Sequence, residues 1–143
     1  MKTIILDTNF LFIPFEKNID IFDSFNYLMF PYKLAIMSST YDELENLKND
    51  KTKKAKTRTI VKVVLEMINK YNIEIIQTAE NYVDRAIIDL IKNNPKDYVL
   101  ATGDKELRKK ALDLGIYGVI YLRKNKYLEF SSPLEGTYAL AKE

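Results

Sequence analysis

Five short apolar runs of strand length recur along the chain, each followed by polar or turn residues: Thr3 to Leu6, Lys33 to Met37, Ile73 to Gln77, Tyr98 to Thr102 and Gly118 to Leu122. Between them the apolar positions change period. Ile60, Val63, Val64, Met67, Ile68 and Tyr71 fall on one helical face, as do Val83, Ala86, Ile87, Leu90 and Ile91. Phe22, Phe25, Leu28 and Met29 make a shorter stripe, and Leu107, Ala111 and Leu114 another, stopped by Gly115. Strands alternating with helices predict crossover units. Near-continuous apolar strands such as Ile4-Ile5-Leu6 and Val99-Leu100-Ala101 fit a parallel sheet buried on both faces. The pattern therefore predicts an α/β fold, a three-layer sandwich whose central parallel sheet of about five strands is flanked by helices, with Tyr127 to Phe130 long enough for one extra strand. No repeat or low-complexity linker interrupts the chain, and its four glycines and four prolines mark no boundary, so residues 1–143 read as a single domain.

Composition narrows the chemistry. With 22 basic and 20 acidic residues the net charge is +2, too small to drive binding by a global field, so any electrostatic partner must be read locally. The chain has no cysteine and no histidine, which removes disulfides, thiolate or imidazole metal sites, serine–histidine triads, cysteine proteases and histidine-paired nucleases. Carboxylates, lysines and hydroxyls are left, and carboxylates without histidine suit a hard cation. After Met1 and Lys2 the apolar stretch is broken at Asp7, far short of the roughly 18 residues of a membrane span, and the expectation is a cytoplasmic protein with no membrane partner. The one local anomaly is basic. Leu47 to Lys62 holds seven Lys or Arg against one Asp and leads into the longest amphipathic stretch, as either a solvated helix start or a polyanion contact.

In an open parallel sheet, ligands bind at the carboxyl ends of the strands, so the residues that follow each strand carry the information. The first strand ends in Asp7. After the second come Ser38, Ser39 and Thr40, then Glu43; after the third, Asp84 stands near a helix start; after the fourth, Asp104 occupies the strand-to-helix turn. Each acid also has a purely structural reading: Thr40 and Glu43 have capping-box spacing, Asp84 and Asp104 suit a helix first turn, and Asp7 suits a turn. Four acids on one edge, however, repel one another, which raises their pKa values or requires a cation. Hard oxygen ligands point to Mg2+ or Mn2+, as one ion or as two roughly 3.5 to 4 Å apart, and to in-line hydrolysis of a phosphodiester.

These residues carry a resemblance. From ILDTNFLF through ELENL and VDRAI to VLATGDKELRKKALDLGI and VIYLR, nearly the whole chain resembles a PIN domain, a small metal-dependent nuclease fold. The resemblance implies that Asp7, Glu43, Asp84 and Asp104 hold the metal and orient the attacking water, and that Asn9 and Thr102 support the site. The opening and closing segments are most similar to archaeal relatives of the small-subunit processome endonuclease, which cuts precursor ribosomal RNA, and less similar to the toxin branch. Two positions depart from the family pattern: Asp84 is followed by Arg85, where many relatives have a second acid, and Gly103 stands where a polar residue is usual.

The expected activity is therefore a metal-dependent endoribonuclease acting on RNA, with pre-rRNA as the implied substrate. Lys53, Lys54, Lys56, Arg58 and Arg108, with Lys109 and Lys110 beside it, are the candidate phosphate contacts. The alternatives are a catalytically weak or inactive PIN-fold module for RNA binding or assembly, and a toxin-type ribonuclease. A haloacid-dehalogenase-type phosphatase needs a second acid two residues after Asp7, where this chain has Asn9. A receiver-like phosphoacceptor lacks its paired acids on the first loop. Ten tyrosines and seven phenylalanines would serve a homodimer interface as well as a core.

Overall fold

The run Lys2–Leu6 forms β1 at the centre of the sheet, buried from Thr3 onward because both of its faces are covered. In the computed structural model, which describes residues 1–142, β1 pairs in parallel with β2 (Tyr32–Met37) and with β4 (Tyr98–Ala101). Glu143, the last residue of the expected domain, lies outside the described residues. Ile4 stands opposite Leu34 and Val99, and Ile5 opposite Ala35 and Leu100, so the apolar runs align across three strands. Beyond β2 lies β3 (Glu74–Ile76), and beyond β4 lies β5 (Gly118–Arg123), both parallel to their neighbours.

The sheet then extends further than the expected five strands. β6 (Tyr127–Ser132) and β7 (Gly136–Ala139) add to β5 antiparallel, giving the order β3-β2-β1-β4-β5-β6-β7. Lys124 and Asn125, both at positive φ, lie in the three-residue turn 124–126 that joins β5 to β6, closed by the Lys126 amide donating to the Arg123 carbonyl at 3.0 Å. β6 is buried on one face only, in strict alternation, and β7 is largely exposed, which is why neither shows the continuous apolar run that marks the parallel strands.

Alternate strand residues feed two cores. Ile4, Leu6, Leu34 and Ile36 face α1 (Ile13–Glu16), α2 (Ile21–Phe25), Leu44 of α3 (Ser38–Asn49) and α4 (Ala55–Lys70). Ile5, Ala35, Met37 and Leu100 face α5 (Val83–Ile91) and α6 (Lys105–Asp113). This is the three-layer arrangement of helices, sheet and helices. The Phe22–Met29 stripe differs from a continuous helix: α2 stops at Phe25 and the chain turns toward Pro31, with Leu28 and Met29 outside any helix. Phe22 stacks on Tyr71 and Phe25 lies parallel to Phe10, so the spacing reports burial against α4 and the sheet, not helix length.

The chain runs outward from β1 to β3, then crosses to the other side of β1 to form β4. An open α/β sheet leaves a crevice at the carboxyl ends of its strands where this reversal occurs. Among the described residues, no helix is long and apolar enough to cross a membrane.

Candidate active site

Asp7 leaves β1 in extended conformation and caps the 3-10 turn Thr8–Phe12. Its carboxylate is only 5% exposed, so each oxygen needs a donor. Oδ1 accepts from the Thr8 amide at 2.8 Å, and Oδ2 accepts from the Thr102 hydroxyl at 2.7 Å. Thr102, fully buried at the end of β4, also accepts from the Asp104 amide at 3.0 Å. One hydroxyl therefore ties the first acid to the fourth. Asp104 in turn caps α6, its Oδ1 accepting from the amides of Glu106 and Leu107 at 2.9 and 3.1 Å.

Glu43 is presented by α3, which begins at Ser38 with Met37 as its cap residue. The capping-box reading of Thr40 and Glu43 is thus corrected: Thr40 lies inside the first turn, fully buried, and its hydroxyl accepts from Thr8 Oγ1 at 3.1 Å. Thr8 and Thr40, neither singled out as site residues by the sequence, hold the first turn of α3 against the Asp7 turn. Ser39 lies one helical turn before Glu43, on the same face. Its buried hydroxyl has no partner among the described residues. Asp84 sits in the first turn of α5. The loop before it is pinned to α3, because Ser38 Oγ accepts from the Thr78 amide at 3.1 Å and donates to the Thr78 carbonyl at 3.4 Å.

The four carboxylates feel one another. Burial pushes Asp7 above the ordinary aspartate range, and the charges of Asp84 and Asp104 add to it against the opposing pull of the Thr102 and Thr8 hydrogen bonds. Partial burial, then Asp7 and Asp84, raise Glu43. Partial burial and Asp104 raise Asp84, which Lys110 only partly offsets. Among the described residues none of the four forms an ion pair, and no three acidic side chains stand close enough as placed to hold a metal ion together. Oxygen-only donors, repulsion that no ion pair relieves among the described residues and an orphaned buried hydroxyl on the Glu43 face together fit a hard divalent cation at this edge.

Asn9 is exposed and makes no side-chain hydrogen bond among the described residues, so the polar support of Asp7 comes from Thr8 and Thr102. Lys53, Lys54 and Lys56 are exposed around the turn that opens α4. At 1.5 Å rise per residue, the end of α3 stands about 9 Å along its axis beyond Glu43, and the basic turn follows directly. Arg58 separates from that run: it lines a groove between α3 and α4 with Tyr41, Lys48 and Lys62, its Nε buried without a partner among the described residues. Arg108 lies over the Tyr121 ring at 4.3 Å, half-buried, while Lys109 and Lys110 are exposed.

A family model described as "PIN like domain" matches residues 4–125. Ribonuclease VapC4 of Methanocaldococcus jannaschii is 32% identical over 130 residues, covering 90% of this chain and 96% of that protein. The solved structure of the PIN domain endonuclease Utp24 superposes with a TM-score of 0.71 at 20% identity, over 94% of this chain and 92% of that one. A domain of a functionally unknown M. jannaschii protein gives a TM-score of 0.57 at 17% identity, over 86% and 92% of the two chains. At those identities the two structures speak for the fold alone.

Proposed function

The chain belongs to the PIN-like domain family, and from that premise we propose that it is a metal-dependent endoribonuclease. One observation carries the reading: four carboxylates stand at the sheet's reversal point, where burial and then their neighbours' charges push Asp7, Glu43 and Asp84 above the ordinary carboxylate range, and none of the four forms an ion pair among the described residues. Such an arrangement costs stability unless a cation occupies it. The full-length likeness to a protein named a ribonuclease supports RNA as the substrate.

Asp7, Glu43, Asp84 and Asp104 would hold one or two Mg2+ or Mn2+ ions. When bound, the ion supplies positive charge that acidifies the attacking water and stabilises the oxygens of an in-line phosphodiester displacement. Thr102 and Thr8 fix the Asp7 carboxylate in one orientation, and Thr102 keeps Asp104 in register with it. Glu43 and Asp84 are exposed and sit on helix first halves, so their side chains can turn toward a ligand. Lys53, Lys54 and Lys56, exposed at the start of α4, would position phosphates without reading sequence. Lys54 and Lys56 sit at the N-terminus of α4, where the macrodipole disfavours cations, which suits an anionic partner better than it suits the helix. A role in processing precursor ribosomal RNA rests on the similarity of the opening and closing segments to processome relatives, and precursor rRNA is the substrate to test first.

The test is incubation of the purified protein with labelled RNA in EDTA, Mg2+ or Mn2+, beside Asp7→Asn prepared identically. Cleavage that needs both metal and Asp7 is expected. RNA bound but never consumed, with no rise in melting temperature on adding Mn2+, would instead make this an RNA-binding or assembly module.

A further inference from the structure

Tyr82 is 66% exposed, against 38% each for Phe15 and Tyr27, although a tyrosine ring in water forgoes the burial that stabilises most of this chain's aromatic residues. It stands two residues before Asp84, as the cap residue of α5. Its backbone is fixed on both sides. The Tyr82 amide donates to Glu80 Oε1 at 3.1 Å, the Glu80 amide donates to Thr78 Oγ1 at 3.2 Å, and the Tyr82 carbonyl accepts from the Ala86 amide at 3.0 Å. Arg85 holds its guanidinium 4.9 Å from the ring centroid. This accounts for the residue that departs from the family pattern: Arg85 follows Asp84 but is engaged by an aromatic ring rather than standing as one more acid at the edge.

We propose that the Tyr82 ring, backed by Arg85, is a stacking platform for an unpaired base of the RNA whose backbone crosses the acidic edge. The inference rests on the endoribonuclease reading and adds to it a residue that holds a base beside the site. A cation on one side of a ring and solvent on the other leaves a π surface for one base. Base–aromatic stacking tolerates any sequence, and a base locked in a duplex cannot reach it. Tyr82 makes no side-chain cap bond to α5 and belongs to neither of the two cores.

The experiment is equilibrium binding of a labelled single-stranded oligoribonucleotide, and of the same strand in a duplex, to the full chain in EDTA. Wild type, Tyr82→Ala and Tyr82→Phe are compared, with melting temperatures as fold controls. Tyr82→Ala is expected to weaken single-strand binding about ten-fold while Tyr82→Phe stays within about two-fold, because the ring and not the hydroxyl stacks. Duplex binding is expected to be unchanged. Single-strand affinity retained in Tyr82→Ala, or lost equally for duplex, overturns the platform even if Mn2+-dependent cleavage by wild type upholds the nuclease. A wild type that never cleaves, with Tyr82→Ala still selectively losing single-strand binding, upholds the platform and overturns the nuclease instead.

Discussion

Replacing Thr102 by valine swaps one hydroxyl for a methyl at a fully buried position and so removes two bonds without opening a cavity. The first is the 2.7 Å bond to the Asp7 carboxylate, and hydrogen bonds to charged groups contribute roughly 1.5 to 3 kcal/mol. The second is the 3.0 Å bond from the Asp104 amide, whose loss orphans a partly buried donor at a further cost of about 1 kcal/mol. Some of this is recovered as the surroundings relax, so the net loss near pH 7.5 is about 2 to 3 kcal/mol. For a domain of this size that corresponds to a melting temperature lower by roughly 6 to 9 °C. The pH dependence has a definite sign. The Thr102 bond favours the ionised Asp7, holding its folded-state pKa below the value it would take in the valine variant. Its contribution is therefore full above the variant's pKa and fades as pH falls through the wild-type one. Urea or thermal denaturation of both proteins at several pH values, in EDTA, checks this. Thr102→Ser keeps both bonds and loses one buried methyl, at about 1 kcal/mol. A valine variant as stable as wild type at pH 7.5, or a deficit that does not shrink on acidification, would show that Thr102 does not hold the site together.

Three further outcomes are expected. Asp7→Asn keeps an acceptor for the Thr8 amide and removes a charge that burial and two neighbouring carboxylates oppose, but it replaces the oxygen that accepts from Thr102 with an amide donor, so the two effects offset and the stability of the metal-free variant relative to wild type should fall as acid protonates wild-type Asp7. Melting temperatures whose difference between the two metal-free proteins does not change from neutral to acid pH would contradict the claim that ionised Asp7 is held at a cost. Gly118→Ala places a methyl group against the fully buried Phe130 ring and 3.1 Å from the Ser131 carbonyl, and denaturant titration should show a loss of about 1 to 3 kcal/mol. Lys54→Ser supplies the cap that α4 lacks and removes a cation from its N-terminus, so the variant should gain about 1 kcal/mol in stability. If Lys54 contacts phosphate, the same variant should lower the slope of log affinity for single-stranded RNA against log salt by about 0.7.

The parallel sheet was legible because its strands are buried on both faces, and Ile4-Ile5-Leu6 or Val99-Leu100-Ala101 admits no polar position. Long helices with one wet face, α4 and α5, were legible for the complementary reason. What escaped was set by tertiary contact. The spacing of Thr40 and Glu43 suits a capping box equally well when both lie inside a helix, and it takes the Thr8 hydroxyl across from Thr40 to decide. Phe22, Phe25 and Leu28 keep helical spacing although the helix ends at Phe25, because their partners lie on α4 and the sheet. β7 is polar and exposed, and its hairpin depends on Ser132 Oγ accepting from the Leu134 and Glu135 amides, a local bond that no hydrophobic pattern encodes. The four edge acids were visible because strand ends point one way in a parallel sheet. Thr102 is fully buried and Asn9 exposed, a distinction that side-chain type alone did not make.

The central claim is that the four carboxylates hold a cation that directs water at an RNA phosphodiester. The most direct measurement is single-turnover cleavage of end-labelled RNA in Mn2+, with the ends of the products identified. Attack by an external water leaves linear phosphate and hydroxyl ends, whereas attack by the neighbouring 2′-hydroxyl leaves a 2′,3′-cyclic phosphate. The account predicts linear ends only, formed in Mg2+ or Mn2+, abolished by EDTA and absent with Asp7→Asn. Cyclic phosphate ends, cleavage that persists in EDTA, or an Asp7→Asn variant that cuts at the wild-type rate would contradict it.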